Sequence, residues 1–294
     1  MEQITNTEDS INVFKNKKVV ILYGQIQFYE MLKKNISNVF VISERKNLKI
    51  FSQWDNLPID IPEIDYIINT YKSPDVERTT KKIPNFSKII YIQNGFNIKE
   101  KARSLGIDNS IFVLNMSIKR QEDKLKTSFA SSPIYEGAED FSMLFNKEKI
   151  FENIEDFEKA KNLKIVNCVF NSLCVLYNLP AKKAIDKYSI EKTNRLVKEI
   201  VDVINHENNG KINFDEAFNN ILEAYENFAN DYPSTHQDFY ELKNNDYVLR
   251  EKTLKHELDS LIFIVKKAKE HKIEIPFTIN IYNKIKKMEK NSPL

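Results

Sequence analysis

Lys17-Lys18-Val19-Val20-Ile21-Leu22-Tyr23-Gly24-Gln25-Ile26-Gln27 opens on two charges, runs through five apolar residues and stops at a glycine. A short β-branched run bounded in this way predicts a buried strand, with Gly24 marking its turn. Beyond the turn, Ile26, Tyr29 and Leu32 recur at helical spacing, and Val39-Phe40-Val41-Ile42 is a second apolar run. Strand, helix, strand is the repeating unit of a parallel sheet. Further strands are predicted at 66–69, 88–92 and 110–114, with helices at 75–83 and 98–105 between them. The alternation implies an α/β half built on a doubly wound parallel sheet.

The texture changes near residue 156, where apolar residues begin to recur at three and four over long stretches. Amphipathic helices are predicted over 156–178, 181–207, 213–229, 250–272 and 277–289, with Pro276 in the first turn of the last. The expected organisation is a solvated leader over 1–15, a dinucleotide-binding domain over 16–154 and an all-helical domain over 155–294. A chain of 294 residues is long for one core and comfortable for two.

Composition narrows the function. Lys and Arg number 44 against 42 Asp and Glu, a net charge of +2, which gives no basic footprint for a phosphate backbone. Nucleic acid is therefore not an expected partner. The longest apolar runs, such as Leu261 to Val265, are five residues, far below the ~20 that span a bilayer. Residues 1–10 are polar and acidic with no apolar secretory core, so cytoplasm is the expected compartment. Cys168 and Cys174 sit within one apolar helical segment, with neither disulfide nor metal spacing, and both read as core.

Five glycines in the whole chain is few against an average of ~7%. At the first strand end, where a dinucleotide fold carries G-x-G-x-x-G, only the middle position, Gly24, is glycine; Leu22 and Gln27 occupy the outer two. After the second strand, Ser43-Glu44-Arg45-Lys46 offers both an acid suited to a ribose hydroxyl and bases suited to a 2′-phosphate. Gln93-Asn94-Gly95-Phe96-Asn97 is a polar turn at a strand's carboxyl end, where open sheets bind ligands and where ordinary Asn-Gly turns are equally at home. Lys164, Asn167 and Asn171, spaced i, i+3, i+7, fall within an arc of ~60° on an otherwise apolar helix. Such a stripe faces either a substrate or another helix. Ser234-Thr235-His236-Gln237-Asp238 holds triad residue types too close in sequence to form a triad, and Ser234 reads as a helix cap. His256-Glu257 has Ser260 where a zinc protease needs its second His, and no metal is expected.

Taken together, these strings resemble the ketopantoate reductase family, the 2-dehydropantoate 2-reductases. The resemblance rests on Gln93-Asn94-Gly95, Asn167-Cys168-Val169-Phe170-Asn171-Ser172-Leu173, Ser234 to Asp238, Glu257-Leu258-Asp259 and the tail His271-Lys272-Ile273-Glu274-Ile275-Pro276, across 17–289. It implies a Rossmann-like domain followed by an all-α substrate and dimerisation domain, with substrate in the cleft between them. It also implies NADP as cofactor, with NAD as the alternative, and a small 2-oxo acid as substrate, reduced as ketopantoate is to pantoate in pantothenate biosynthesis. A homodimer goes with it. Carried over, Lys164 is the general acid and Glu257 the second catalytic residue, placed on the substrate's hydroxyl end. Asn167, Asn171, Ser234 and Asn94 hold substrate. Gly24, Gln25, Arg45, Lys72 and Asn94 serve the cofactor, Lys72 being also a candidate partner for the acid's carboxylate.

The chain departs from the family pattern where the family's lysine position is Leu163, one residue before Lys164, and where an Asn is replaced by Asp231. About eleven extra residues separate Ser234 from Glu257. Leu22, Gln27 and Leu163 motivate a rival expectation: a non-catalytic member that binds a nucleotide or partner through the same fold.

Overall fold

In the computed structural model the described residues are 15–22, 32–33, 36–42, 63–71, 76–83, 89–92, 96, 98–107, 110–114, 118–121, 124–127, 134–136, 162–207, 212–227, 229–230, 232–240 and 258–290. The chain divides into two compact units, Met1–Phe157 and Glu158–Leu294.

The first unit is built on β1 (Lys18–Leu22), β2 (Asn38–Ile42), β3 (Tyr66–Asn69), β4 (Ile89–Ile92) and β5 (Ile111–Leu114), with helices α1 (Val76–Thr80) and α2 (Ile98–Ser104). These five strands are parallel, in the order β2-β1-β3-β4-β5, and β8 (Ile134–Glu136) closes the far edge antiparallel to β5. Val19, Val20 and Ile21 in β1, Ile67 and Ile68 in β3, and Ile89 and Ile90 in β4 are all fully buried. Consecutive buried residues mean that both sheet faces are covered, which is why these strands read as continuous apolar runs and not as alternations. Asp65 ties together the amino ends of β1 and β3: its carboxylate accepts from the Lys18 backbone N–H and from Lys17 Nζ, each at 2.8 Å.

All five predicted parallel strands form. A two-stranded hairpin, β6 (Ile118–Gln121) with β7 (Lys124–Thr127), and β8 were not expected, because Lys, Arg, Gln and Thr leave no apolar run to announce them. Of the expected helix after Gly24, only Leu32 and Lys33 lie within the described residues.

The second unit is helical throughout its described residues: α3 (Asn162–Tyr177), α4 (Ala181–Tyr188), α5 (Ile190–Glu207), α6 (Phe214–Asn227), α7 (Ser234–Tyr240), α8 (Asp259–His271) and α9 (Pro276–Lys290). The fold class read from the sequence holds, and Pro276 does open the last helix. The expected single helix over 181–207 is two. Ser189, at φ 87°, ends α4 by donating its N–H to the Ile185 carbonyl, while its own side-chain oxygen accepts the Lys192 N–H at the start of α5. A serine can close one helix and open the next, and hydrophobic periodicity runs straight across such a junction. Ser234 is the first residue of α7, one place inside the expected cap.

α5 and α9 are held together by Glu199, whose carboxylate accepts the N–H groups of Phe277 (2.9 Å) and Thr278 (2.7 Å) and the Thr278 hydroxyl (2.7 Å). These are the unsatisfied donors of a helix N-terminus, answered by a carboxylate from a neighbouring helix. Among the described residues, no helix is long and apolar enough to cross a membrane.

Candidate active site

Helix α3 forms because Ile165, Val166, Val169, Phe170 and Leu173 supply a buried apolar face, all between 0 and 6% exposed. Lys164 lies in the same buried environment, at 3% exposure, while Asn167 and Asn171 are half-buried along the helix. Lysine is among the residues least often buried, since its ammonium must be compensated. An ammonium with two carboxamides on one helical arc is therefore costly in a core, and useful where an oxyanion must be met.

The rest of α3 is inert by contrast. Ser172 Oγ donates to the Cys168 carbonyl one turn back, at 2.7 Å. Burial pushes the Cys168 and Cys174 thiols up to about 12, so neither is a nucleophile near neutrality. The two cysteines are core, as their surroundings in the sequence suggest.

The carboxyl end of α3 meets α7. His236 is 6% exposed, its ring between those of Tyr232 and Tyr240 at centroid distances of 4.2 and 4.7 Å. Its Nε2 lies 2.7 Å from Asn178 Oδ1, and the Tyr240 hydroxyl donates to the Val175 carbonyl at 2.8 Å. α7 is thus tied to α3 at positions one and two turns beyond Asn171. This role is not legible in the sequence, because a histidine beside a serine and an aspartate draws attention to catalysis and not to packing.

In the sheet unit the informative place lies between β1 and β3. The chain leaves β1 for β2 on one side and then crosses to β3 on the other, so strand order reverses between β1 and β3. Ligands of open α/β sheets bind at the carboxyl ends of the strands flanking such a reversal. Those ends are Leu22 and Asn69, in register with each other. Thr70 joins them, with its hydroxyl donating to the Leu22 carbonyl at 2.7 Å and its N–H to the same oxygen at 3.3 Å. Asn69, fully buried, was overlooked in the sequence because its partners, Thr79 and Thr80, lie ten and eleven residues on in α1.

Of the residues expected to bind or react, Lys164, Asn167 and Asn171 are brought together on α3. Ser234 is described in its backbone only. Gly24, Gln25, Arg45, Lys72, Asn94 and Glu257 lie outside the described residues. Among the described residues, no cluster of His, Cys, Asp and Glu could hold a metal ion.

Residues 160–289 match the family described as ketopantoate reductase PanE/ApbA C terminal. No curated protein matches the chain. Among solved structures, a D-mandelate dehydrogenase in complex with NADH has a TM-score of 0.70 at 16% identity, over 93% of this chain and 99% of its own. A PanE/ApbA family ketopantoate reductase from Ralstonia eutropha JMP134 has a TM-score of 0.70 at 16% identity, over 92% and 98%. A dimeric ketopantoate reductase from Staphylococcus aureus has 0.65 at 14%, over 93% and 99%. At these identities the structural likeness is one of fold. By that fold the chain is similar, over nearly its whole length, to the ketopantoate reductases, and residues 160–289 match the ketopantoate reductase PanE/ApbA C-terminal family model.

Proposed function

We propose that the chain is a nicotinamide-dependent oxidoreductase that reduces a small 2-oxo acid, with NADP as cofactor and ketopantoate or a close relative as substrate. The observation that carries this reading is the buried Lys164 on the same helical arc as Asn167 and Asn171, inside the matched C-terminal domain. The strand reversal between β1 and β3 supports a dinucleotide, since ligands of open α/β sheets bind at the carboxyl ends of strands where the order reverses. NADP, when bound in its reduced form, supplies the hydride.

The chain's residues do the rest. As the ketone oxygen gains charge, the Lys164 ammonium stabilises it and delivers the proton that completes the alcohol. Asn167 and Asn171 donate amide hydrogens that fix the acid's orientation, with Ser234 and Asn94 as further substrate contacts. Glu257 takes the substrate's hydroxyl end. Lys72 neutralises the carboxylate or the cofactor's charge, while Gly24, Gln25, Arg45 and Asn94 hold the dinucleotide. A homodimer and a cytoplasmic location go with this reading, the former by analogy with the dimeric Staphylococcus aureus reductase.

The test is Lys164→Ala in a coupled measurement of turnover and cofactor affinity. A positioned general acid typically contributes ~10²- to 10⁴-fold, and kcat should fall by about that factor while the NADPH Kd stays within about twofold. An unchanged kcat would remove Lys164 from the mechanism.

A further inference from the structure

At the carboxyl end of β3 the strand sequence Tyr66-Ile67-Ile68 ends in Asn69, a carboxamide fully buried where an aliphatic residue would suit the core better. A buried amide is tolerated only when its hydrogen-bonding capacity is met. Here it is met in a particular way. Oδ1 accepts the N–H of Tyr71, two residues on, at 3.0 Å, and Nδ2 donates to Thr79 Oγ1 at 3.2 Å and toward Thr80 Oγ1 at 3.5 Å. The Thr80 hydroxyl in turn lies 3.2 Å from the Tyr91 hydroxyl on β4. With Thr70 bonded to the Leu22 carbonyl, side-chain hydrogen bonds cross-link the ends of β1, β3 and β4 and helix α1.

We propose that Asn69 is a positioning residue for cofactor binding: its buried carboxamide, joined to Thr79, Thr80 and the Tyr71 amide, fixes the strand end that flanks the dinucleotide crevice. The inference rests on the nicotinamide reading above and adds how the crevice keeps its shape. Two of the three glycines that ordinarily shape such a crevice are absent, Leu22 and Gln27 standing in their places. Glycine's backbone freedom is therefore not available at the outer two positions, and the Leu22 carbonyl at the end of β1 is held by two bonds from Thr70. Asn69, one residue earlier, holds the end of β3 by accepting the Tyr71 N–H.

The experiment is a fluorescence titration of the full chain with NADPH, alongside thermal melting and steady-state kinetics, for wild type, Asn69→Leu, Thr80→Val and Tyr91→Phe. Leucine matches asparagine in shape and lacks its donors and acceptor. Asn69→Leu should raise the Kd and KM for NADPH about tenfold or more, with the acid's KM and kcat within about twofold. Thr80→Val and Tyr91→Phe, farther along the network, should give a smaller rise of the same kind. A purely structural network would shift only the melting temperature. If Asn69→Leu does not fold, the other two variants decide. Wild-type NADPH affinity in every folded variant would overturn this inference alone, whereas a wild-type protein that binds neither NADPH nor NADH would overturn the cofactor reading with it.

Discussion

Lys164 sits next to Ile165 and Val166 on α3 and is as buried as they are. Its spacing to Asn167 and Asn171 is visible in the sequence, because helical geometry turns i, i+3 and i+7 into one face without any knowledge of the tertiary structure. Asn69 was not visible in that way, since its side-chain partners, Thr79 and Thr80, come from another element. The same helix carries a chemical control. Cys168 and Cys174 have their thiols held up to about 12 by burial, so at pH 8 both stay protonated. Native protein treated with iodoacetamide at pH 8 should stay unlabelled at both, as mass spectrometry can check. In denaturant, with the thiol near its ordinary value, both should label within minutes to hours. Rapid labelling of the folded protein would mean that α3 is not packed as described.

Elements differ in how openly they announce themselves. The parallel strands are legible because burial on both faces demands uninterrupted Val and Ile. The hairpin over 118–127 is not, since Ile118-Lys119-Arg120-Gln121 and Lys124-Leu125-Lys126-Thr127 carry no such demand. Ser189 divides two helices through its φ of 87° and its two capping bonds, neither of which leaves a trace in hydrophobic spacing. Between helices, Glu207 at the end of α5 accepts from Lys267 (2.8 Å) and is paired with His271 Nε2 (2.7 Å), both on α8. The Lys267 bond, opposed by partial burial and reinforced by His271, holds the Glu207 carboxyl below its ordinary value. A carboxyl lowered on folding stabilises the native state above its unfolded value, near 4.5, and that stabilisation fades as pH falls through the folded value. Glu207→Gln should therefore cost about 1 kcal/mol at pH 7, measured by urea unfolding. The deficit should shrink toward zero below about pH 4. A deficit independent of pH would show that packing, and not charge, makes the contribution.

On the scale of the molecule, two units with different architectures answer two chemical needs. In the proposed reading, a sheet with a strand reversal offers strand ends to a dinucleotide, and a helical unit offers an ammonium and two carboxamides to a polar acid. The change from α/β to helical architecture was legible because the period of the hydrophobic pattern changes from short strand runs to three-and-four spacing near residue 156. Substrate identity was not, because in the proposed reading it depends on side chains contributed by segments far apart in the sequence, such as those of Ser234 and Glu257. The most direct measurement is NADPH oxidation by the purified chain, followed by absorbance across a panel of 2-oxo acids that includes ketopantoate, with NADH in parallel. A reductase of the proposed kind must consume the reduced cofactor only when an acid is present, and Lys164→Ala must abolish most of that consumption. Absence of oxidation with every acid, from a folded protein that binds NADPH, would contradict the catalytic reading and leave a nucleotide-binding protein with the fold of a reductase.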